Sequence, residues 1–171
     1  MSAPTSLPKT KFYQHAAKGY AELYGAEQKK KFKSVLDHWW LPKDSLVLDI
    51  GCGTGLAKDI LPGKFIGVDP AKAMLSFVKY PKVIGRAEHL PFLDNTFDGI
   101  ICITAIHHVS SSDHALSEIR RVSKSNSLCA ISVLKKSSRA DILVSQIKGF
   151  LDGCIEIEED KDIILMGRVV K

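Results

Sequence analysis

Three glycines at alternate positions, Gly51, Gly53 and Gly55, follow directly on the aliphatic run Leu46–Ile50. Glycines there let the chain turn sharply and let a ligand approach the backbone with no Cβ in the way. A dinucleotide-binding turn spaces its glycines as GxGxxG. Here Leu56 stands where the third glycine of that pattern would fall, and Asp49 precedes the loop by two. A second carboxylate, Asp69, follows the apolar run 64–68, fourteen residues after Gly55 (69 − 55). Its oxygens could accept both hydroxyl protons of a ribose, or it could cap the helix that follows. His107 and His108 follow a further aliphatic run, 97–103. An unperturbed imidazole titrates near ~6.5, so these two are the candidate general bases. The competing assignment packs one at the edge of the core and turns the other to solvent. His107, His108 and His114 do not suggest a metal site: neighbours on an extended chain point to opposite sides, and no fourth ligand is suitably spaced.

Short apolar runs and helical stretches alternate to position these groups. Residues 11–40 read as one or two helices, with Tyr20, Leu23, Tyr24, Phe32, Val35, Leu36, Trp39 and Trp40 at helical spacing, ended by Leu41-Pro42. From residue 46 the pattern predicts strands over 46–50, 64–68, 82–84, 97–103 and 127–133. It predicts helices over 54–61, 71–80, 112–122 and 138–151. Two final strands, 154–157 and 163–170, have no helix between them and should form an antiparallel hairpin. This is an α/β pattern, a doubly wound and mostly parallel seven-stranded sheet with an antiparallel C-terminal hairpin. The expected organisation is a flexible tail over 1–10 and a single domain over 11–171, with an N-terminal helical cap at 11–42 and an α/β core at 46–171.

A chain of 171 residues, 45% hydrophobic, can bury one sizeable core without disulfides. No apolar run reaches the ~18 residues of a membrane span, and residues 1–11 lack the apolar stretch of a secretory signal. The expectation is a cytoplasmic protein with no membrane partner. The cysteines fit that: Cys52, Cys102, Cys129 and Cys154 form no CxxC pair and read as buried free thiols. The net charge is +5, and residues 1–45 hold eight lysines against four acids, hence +4. A basic face can attract nucleic acid or another anion; a solvated lysine-rich helix face is the plainer account.

The string LDIGCGTG at 48–55, with its DxGxGxG pattern, resembles class I S-adenosylmethionine-dependent methyltransferases. FIGVDPAKAML at 65–75, GRAEHLPF at 85–92, FDGIICITAIHHV at 97–109 and ALSEIRRV at 115–122 are similar to successive motifs of the broad group that includes ubiquinone and menaquinone methylases. The likeness is close over 46–135. GYAELYGAEQ at 19–28 resembles the helix that closes over the cofactor in some members. The resemblance implies S-adenosylmethionine as cofactor and S-adenosylhomocysteine as product. It places Gly51, Cys52 and Gly53 along the methionine and ribose, has Asp49 orient the loop and the amino group, directly or through water, and puts Asp69 and Pro70 at the end of strand two. Ala87 and Glu88 would meet the adenine, Ile103 would lie beside the cofactor, and Tyr20 and Tyr24 would reach its carboxylate.

Two departures stand out. Lys124-Ser125-Asn126-Ser127 replaces the usual lysine-proline-glycine-glycine turn, and Ala71 replaces a serine two residues after Asp69. The polar-Pro-Pro-aromatic motif of exocyclic-amine methylases of nucleic acid is absent after strand four. No cysteine is placed as a nucleophile for cytosine C5. The implied activity is methyl transfer to an oxygen, nitrogen or carbon of an acceptor that the sequence does not identify: a small molecule, RNA or protein. A non-catalytic subunit that binds the cofactor or a partner is the alternative, and an NAD-dependent oxidoreductase is disfavoured by the glycine spacing. Only a short connection separates strand five from the hairpin, so a large partner, a partner subunit or a second copy could complete the site.

Overall fold

The computed structural model describes residues 9–171, with side chains from residue 24 onward. The tail expected over 1–10 falls largely outside them. One helix, α1 (Lys9–Leu36), precedes a sheet of seven strands: β1 (Leu46–Ile50), β2 (Lys64–Asp69), β3 (Lys82–Ile84), β4 (Phe97–Cys102), β5 (Ser123–Leu134), β6 (Leu151–Glu158) and β7 (Asp162–Val169). The helices α2 (Lys72–Leu75), α3 (Ser112–Val122) and α4 (Ala140–Phe150) complete the chain.

The sheet order is β3-β2-β1-β4-β5-β7-β6. Strands β1 to β5 run parallel, and β7 pairs antiparallel with both β5 and β6. The order reverses at β1, flanked by β2 on one side and β4 on the other. A crevice therefore opens at the carboxyl ends of β1 and β4, where such sheets bind ligands. Val47 and Leu48 show how the pleat sorts side chains to opposite faces. Leu48 joins Ile100, Ile119, Ile131, Leu143 and Ile147 under α3 and α4. Val47 joins Phe32, Val35, Ala57, Ile101 and Ala130 under α1.

Several elements differ in extent from expectation. The helix expected to reach Pro42 stops at Leu36, because the chain turns so that Trp39 enters the core and its indole N–H donates to Pro62 O at 3.2 Å. The helix expected over 54–61 is only a 3-10 turn, Leu56–Asp59, squeezed between Gly55 at φ +85° and the Pro62-Gly63 stop. The helix expected over 71–80 is the single turn α2; beyond it the chain unwinds and brings the Tyr80 ring 5.9 Å from Phe65, centroid to centroid. Strand β5 starts four residues earlier than expected, at Ser123. Asn126 there takes φ +62°, the left-handed conformation a glycine turn would supply, and asparagine is among the residues that tolerate it.

Candidate active site

The turn after β1 is held to β2 by its own backbone. Gly51 N–H and Cys52 N–H both donate to Val68 O, at 2.8 and 3.2 Å, and Gly55 N–H donates to Cys52 O at 2.8 Å. Gly51, Gly53 and Gly55 have φ of +68°, +53° and +85°, a region costly for any residue with a Cβ. At Gly51 space also forbids one: a Cβ would lie 2.4 Å from Ala105 Cβ. The glycine turn and the segment after β4 thus touch at Gly51 and Ala105, with no room there for a side chain.

Asp69 links the turn to α2. One carboxylate oxygen accepts Gly53 N–H at 2.9 Å and the other accepts Ala71 N–H at 2.7 Å. Asp69 thus holds the residue that precedes α2, and α2 itself has no side-chain cap at Ala71. Each oxygen keeps a further lone pair for a ligand. Burial raises the Asp69 pKa, against the pull of the Ala71 and Gly53 N–H groups.

These groups line a cleft walled by Ile50, Gly51, Gly53, Val68, Asp69, Pro70 and Met74 on one side and by Cys102, Ile103, Thr104, Ala105, His108 and Val109 on the other, with Gly85 to Glu88 at one end. Of the residues singled out in the sequence, Gly51, Gly53, Asp69, Pro70, Ala87, Glu88, Ile103 and His108 come together here. Asp49 and Cys52 sit behind the turn and do not line the cleft. Asp49 is buried and accepts the Tyr80 hydroxyl at 2.8 Å. Burial pushes its pKa up to about 7; the Tyr80 hydrogen bond opposes this and the Asp69 charge adds to it. Cys52 packs with Leu75 and Val78. Tyr24 is half-buried on α1 and does not line the cleft, and the Tyr20 side chain lies outside the described residues.

Glu88 accepts Ser110 N–H at 2.7 Å and an Arg86 guanidinium N–H at 3.2 Å. Burial alone would raise its pKa, but these donors and its own N–H bring it below the usual carboxylate value. His107 and His108 form a short 3-10 turn with Ile106, and their ring centroids lie 4.1 Å apart. Only His108 faces the cleft. Cys102 is fully buried, and its thiol, raised by burial and the Asp49 charge to about 12, is no nucleophile at neutral pH. Among the described residues no group of three metal-ligating side chains could hold an ion, and no helix is long and apolar enough to cross a membrane.

Sequence reasoning missed Thr104, Ala105 and Arg86. Arg86 lay within a motif already quoted. Thr104 gave no signal, because its φ of +59° is one that a β-branched residue rarely adopts.

Residues 48–131 match the methyltransferase domain family. Fold, glycine turn and family match together mark residues 48–131 as similar to a methyltransferase domain, on a fold shared with solved S-adenosylmethionine-dependent methyltransferases. The cleft fits S-adenosylmethionine: glycines leave room along one wall, and Asp69 presents acceptor oxygens to a ribose. The chain is 41% identical over 95 residues to the demethylmenaquinone methyltransferase of Symbiobacterium thermophilum, covering 46% of this chain and 38% of that protein. It is 33% identical over 85 residues to the tRNA (carboxymethyluridine(34)-5-O)-methyltransferase of Schizosaccharomyces pombe, covering 48% and 37%. The fold matches a methyltransferase of Haloferax volcanii, solved in complex with its Trm112 activator, with a TM-score of 0.77 over 93% of this chain and 98% of that one at 16% identity. The chain spans well under two thirds of the length of the curated relatives it matches.

Proposed function

We propose that this chain transfers the methyl group of S-adenosylmethionine to a nucleophilic oxygen, nitrogen or carbon of an acceptor entering at the carboxyl ends of β4 and β5. The observation that carries this reading is the Asp69 bridge. One carboxylate on the cleft wall fixes the glycine turn through Gly53 and the start of α2 through Ala71, and keeps lone pairs for a ribose. When bound, the cofactor supplies a methyl group already activated on a sulfonium. The chain's part is to align and to exclude water. Ile50, Val68, Met74, Ile103 and Val109 give the cleft apolar walls. Where the acceptor must lose a proton, His108 is the base placed to take it, with the His107 ring tilted against it.

The quinone-type and tRNA acceptors named for the relatives bracket the acceptor classes to screen. The lysine run on α1 adds little to the case for RNA. Lys30 pairs with Glu159 and Asp160, and Lys31 with Glu27 and Asp162, so half of Lys29, Lys30, Lys31 and Lys33 is neutralised within the chain. A partner subunit, as Trm112 is for the Haloferax neighbour, could add a strand to the sheet edge at β3, where Ile84 is exposed.

The test is a calorimetric titration with S-adenosylmethionine and S-adenosylhomocysteine, with NAD as control and Asp69→Ala alongside. The expected result is roughly micromolar binding of both sulfur nucleosides and about a 30- to 100-fold loss in the variant. No binding of either nucleoside sinks the proposal, and preferential binding of NAD points to an oxidoreductase. Tight binding with no methyl transfer to quinone, RNA or protein acceptors moves the weight to a cofactor-holding scaffold.

A further inference from the structure

Thr104, the second residue after β4 and on the cleft wall, adopts φ +59°, which a β-branched residue does not hold unaided. A closed ring of polar contacts holds it. Thr104 N–H donates to Ser132 Oγ at 2.7 Å, and Ser132 Oγ–H donates to Asp162 Oδ1 at 3.3 Å. The other Asp162 oxygen pairs with Lys31 Nζ, and Lys31 Nζ donates back to Thr104 Oγ1 at 3.1 Å. Glu27 takes a second Lys31 proton at 3.0 Å, and Gln28 accepts the Thr104 hydroxyl at 3.2 Å. Lys31 is 2% exposed and Asp162 is fully buried. The ring joins α1 to β5 and β7, and it closes on the one cleft residue whose backbone is strained without being glycine.

We propose that Lys31 is a positioning residue for the cofactor cleft. Through Thr104 it fixes Ile103 and Ala105, and Ala105 abuts the glycine turn at Gly51 with no space to spare. If the ring opens, Thr104 relaxes to an ordinary conformation and the wall opposite the glycine turn moves. The Thr104 hydroxyl is spent on α1, so its role is to set the wall. The α1 helix thereby controls the cleft from outside it. This inference rests on the cofactor reading above.

Lys31→Met alone leaves Asp162 buried and unpaired, so the test variant is Lys31→Met/Asp162→Leu, which removes the pair together. Its affinity for S-adenosylhomocysteine is measured by calorimetry below the melting point, and its melting temperature separately. The expected result is a loss of affinity of roughly tenfold or more, the strain at Thr104 being released. Adding Thr104→Gly, which adopts a positive φ freely, restores the affinity without restoring the wild-type melting temperature. Thr104→Val leaves the ion pair in place and gives a second route: it loses more affinity than Thr104→Gly alone. Wild-type affinity in the folded double variant, or equal affinity in Thr104→Val and Thr104→Gly, overturns the inference. A wild-type protein that binds neither sulfur nucleoside overturns the cofactor reading itself, and the inference with it.

Discussion

The two walls of the cleft reach the same backbone conformation by different means. On the β1 side, Gly51, Gly53 and Gly55 take positive φ with no Cβ to oppose it. On the β4 side, Thr104 takes φ +59° against the preference of its own side chain, and side chains from α1, β5 and β7 hold it there. The first wall needs no side chain to impose its φ values, which glycine adopts freely, and its ties run to the neighbouring strand through Val68 O and the Asp69 carboxylate. The second is built by tertiary contacts, and its shape depends on a helix outside the sheet. A cofactor held between them is gripped by one wall that is intrinsically set and one that is conditionally set.

The largest effect should come where the walls touch. Gly51→Ala forces φ +68° on a residue with a Cβ and drives that atom to 2.4 Å from Ala105 Cβ, part of a packed segment with little room to retreat. The expected loss is roughly 3–4 kcal/mol of stability, by strain plus overpacking, and S-adenosylhomocysteine binding should fall below detection. Urea unfolding and calorimetry measure the two. A protein that loses neither would show that the walls are not in the close register described.

The next effect lies beneath the glycine wall, in Asp49. Its pKa is about 7 in the folded chain against an ordinary 3.8, chiefly because burial disfavours the charged form. The native state therefore keeps a proton that the unfolded chain has released between those values. The stability this provides is fully present below pH 3.8 and is lost as pH rises through about 7. At about 1.4 kcal/mol per unit the ceiling is near 4 kcal/mol, and relaxation of so buried a site will reduce it. Urea midpoints taken from pH 5 to 8 should fall for wild type and fall less for Asp49→Asn. Equal slopes would mean that Asp49 is charged throughout, and that the glycine wall rests on an ionised carboxylate.

The same contrast explains what could be read in advance. The central strands, Asp69 and the glycine turn were legible because buried β-branched runs and glycine spacing are local signals. The hairpin was legible too, although β6 extends back to Leu151 through an irregularity in register between Asp152 and Ile155, with Gly153 at φ +59°, that composition does not announce. The shortness of α2 was not legible. Ala71, Met74, Leu75 and Val78 fit a helical stripe equally well, and it is the Tyr80 hydroxyl bond to Asp49, a partner 31 residues away, that marks the unwound path. The Thr104 ring was invisible for the same reason: Lys31 reads as one lysine of a solvated run, yet it is buried between Glu27 and Asp162.

The smallest effect sets the two walls side by side. Gly53→Ala introduces a Cβ at φ +53°, but its nearest contact is the Met74 methyl at 3.3 Å, the far end of a flexible side chain that can shift. The expected cost is therefore the conformational one, about 1 kcal/mol, with a modest loss of S-adenosylhomocysteine affinity because Gly53 N–H still reaches Asp69. Thr104→Gly is the mirror experiment: it removes a Cβ at nearly the same φ and makes that wall intrinsically set. Combined with Gly53→Ala, it should behave additively in urea unfolding if the walls meet only through Gly51 and Ala105. Coupling above about 0.5 kcal/mol would mean that strain passes between the walls by another route. Met74, which lines the same cleft, would then be the first side chain to substitute.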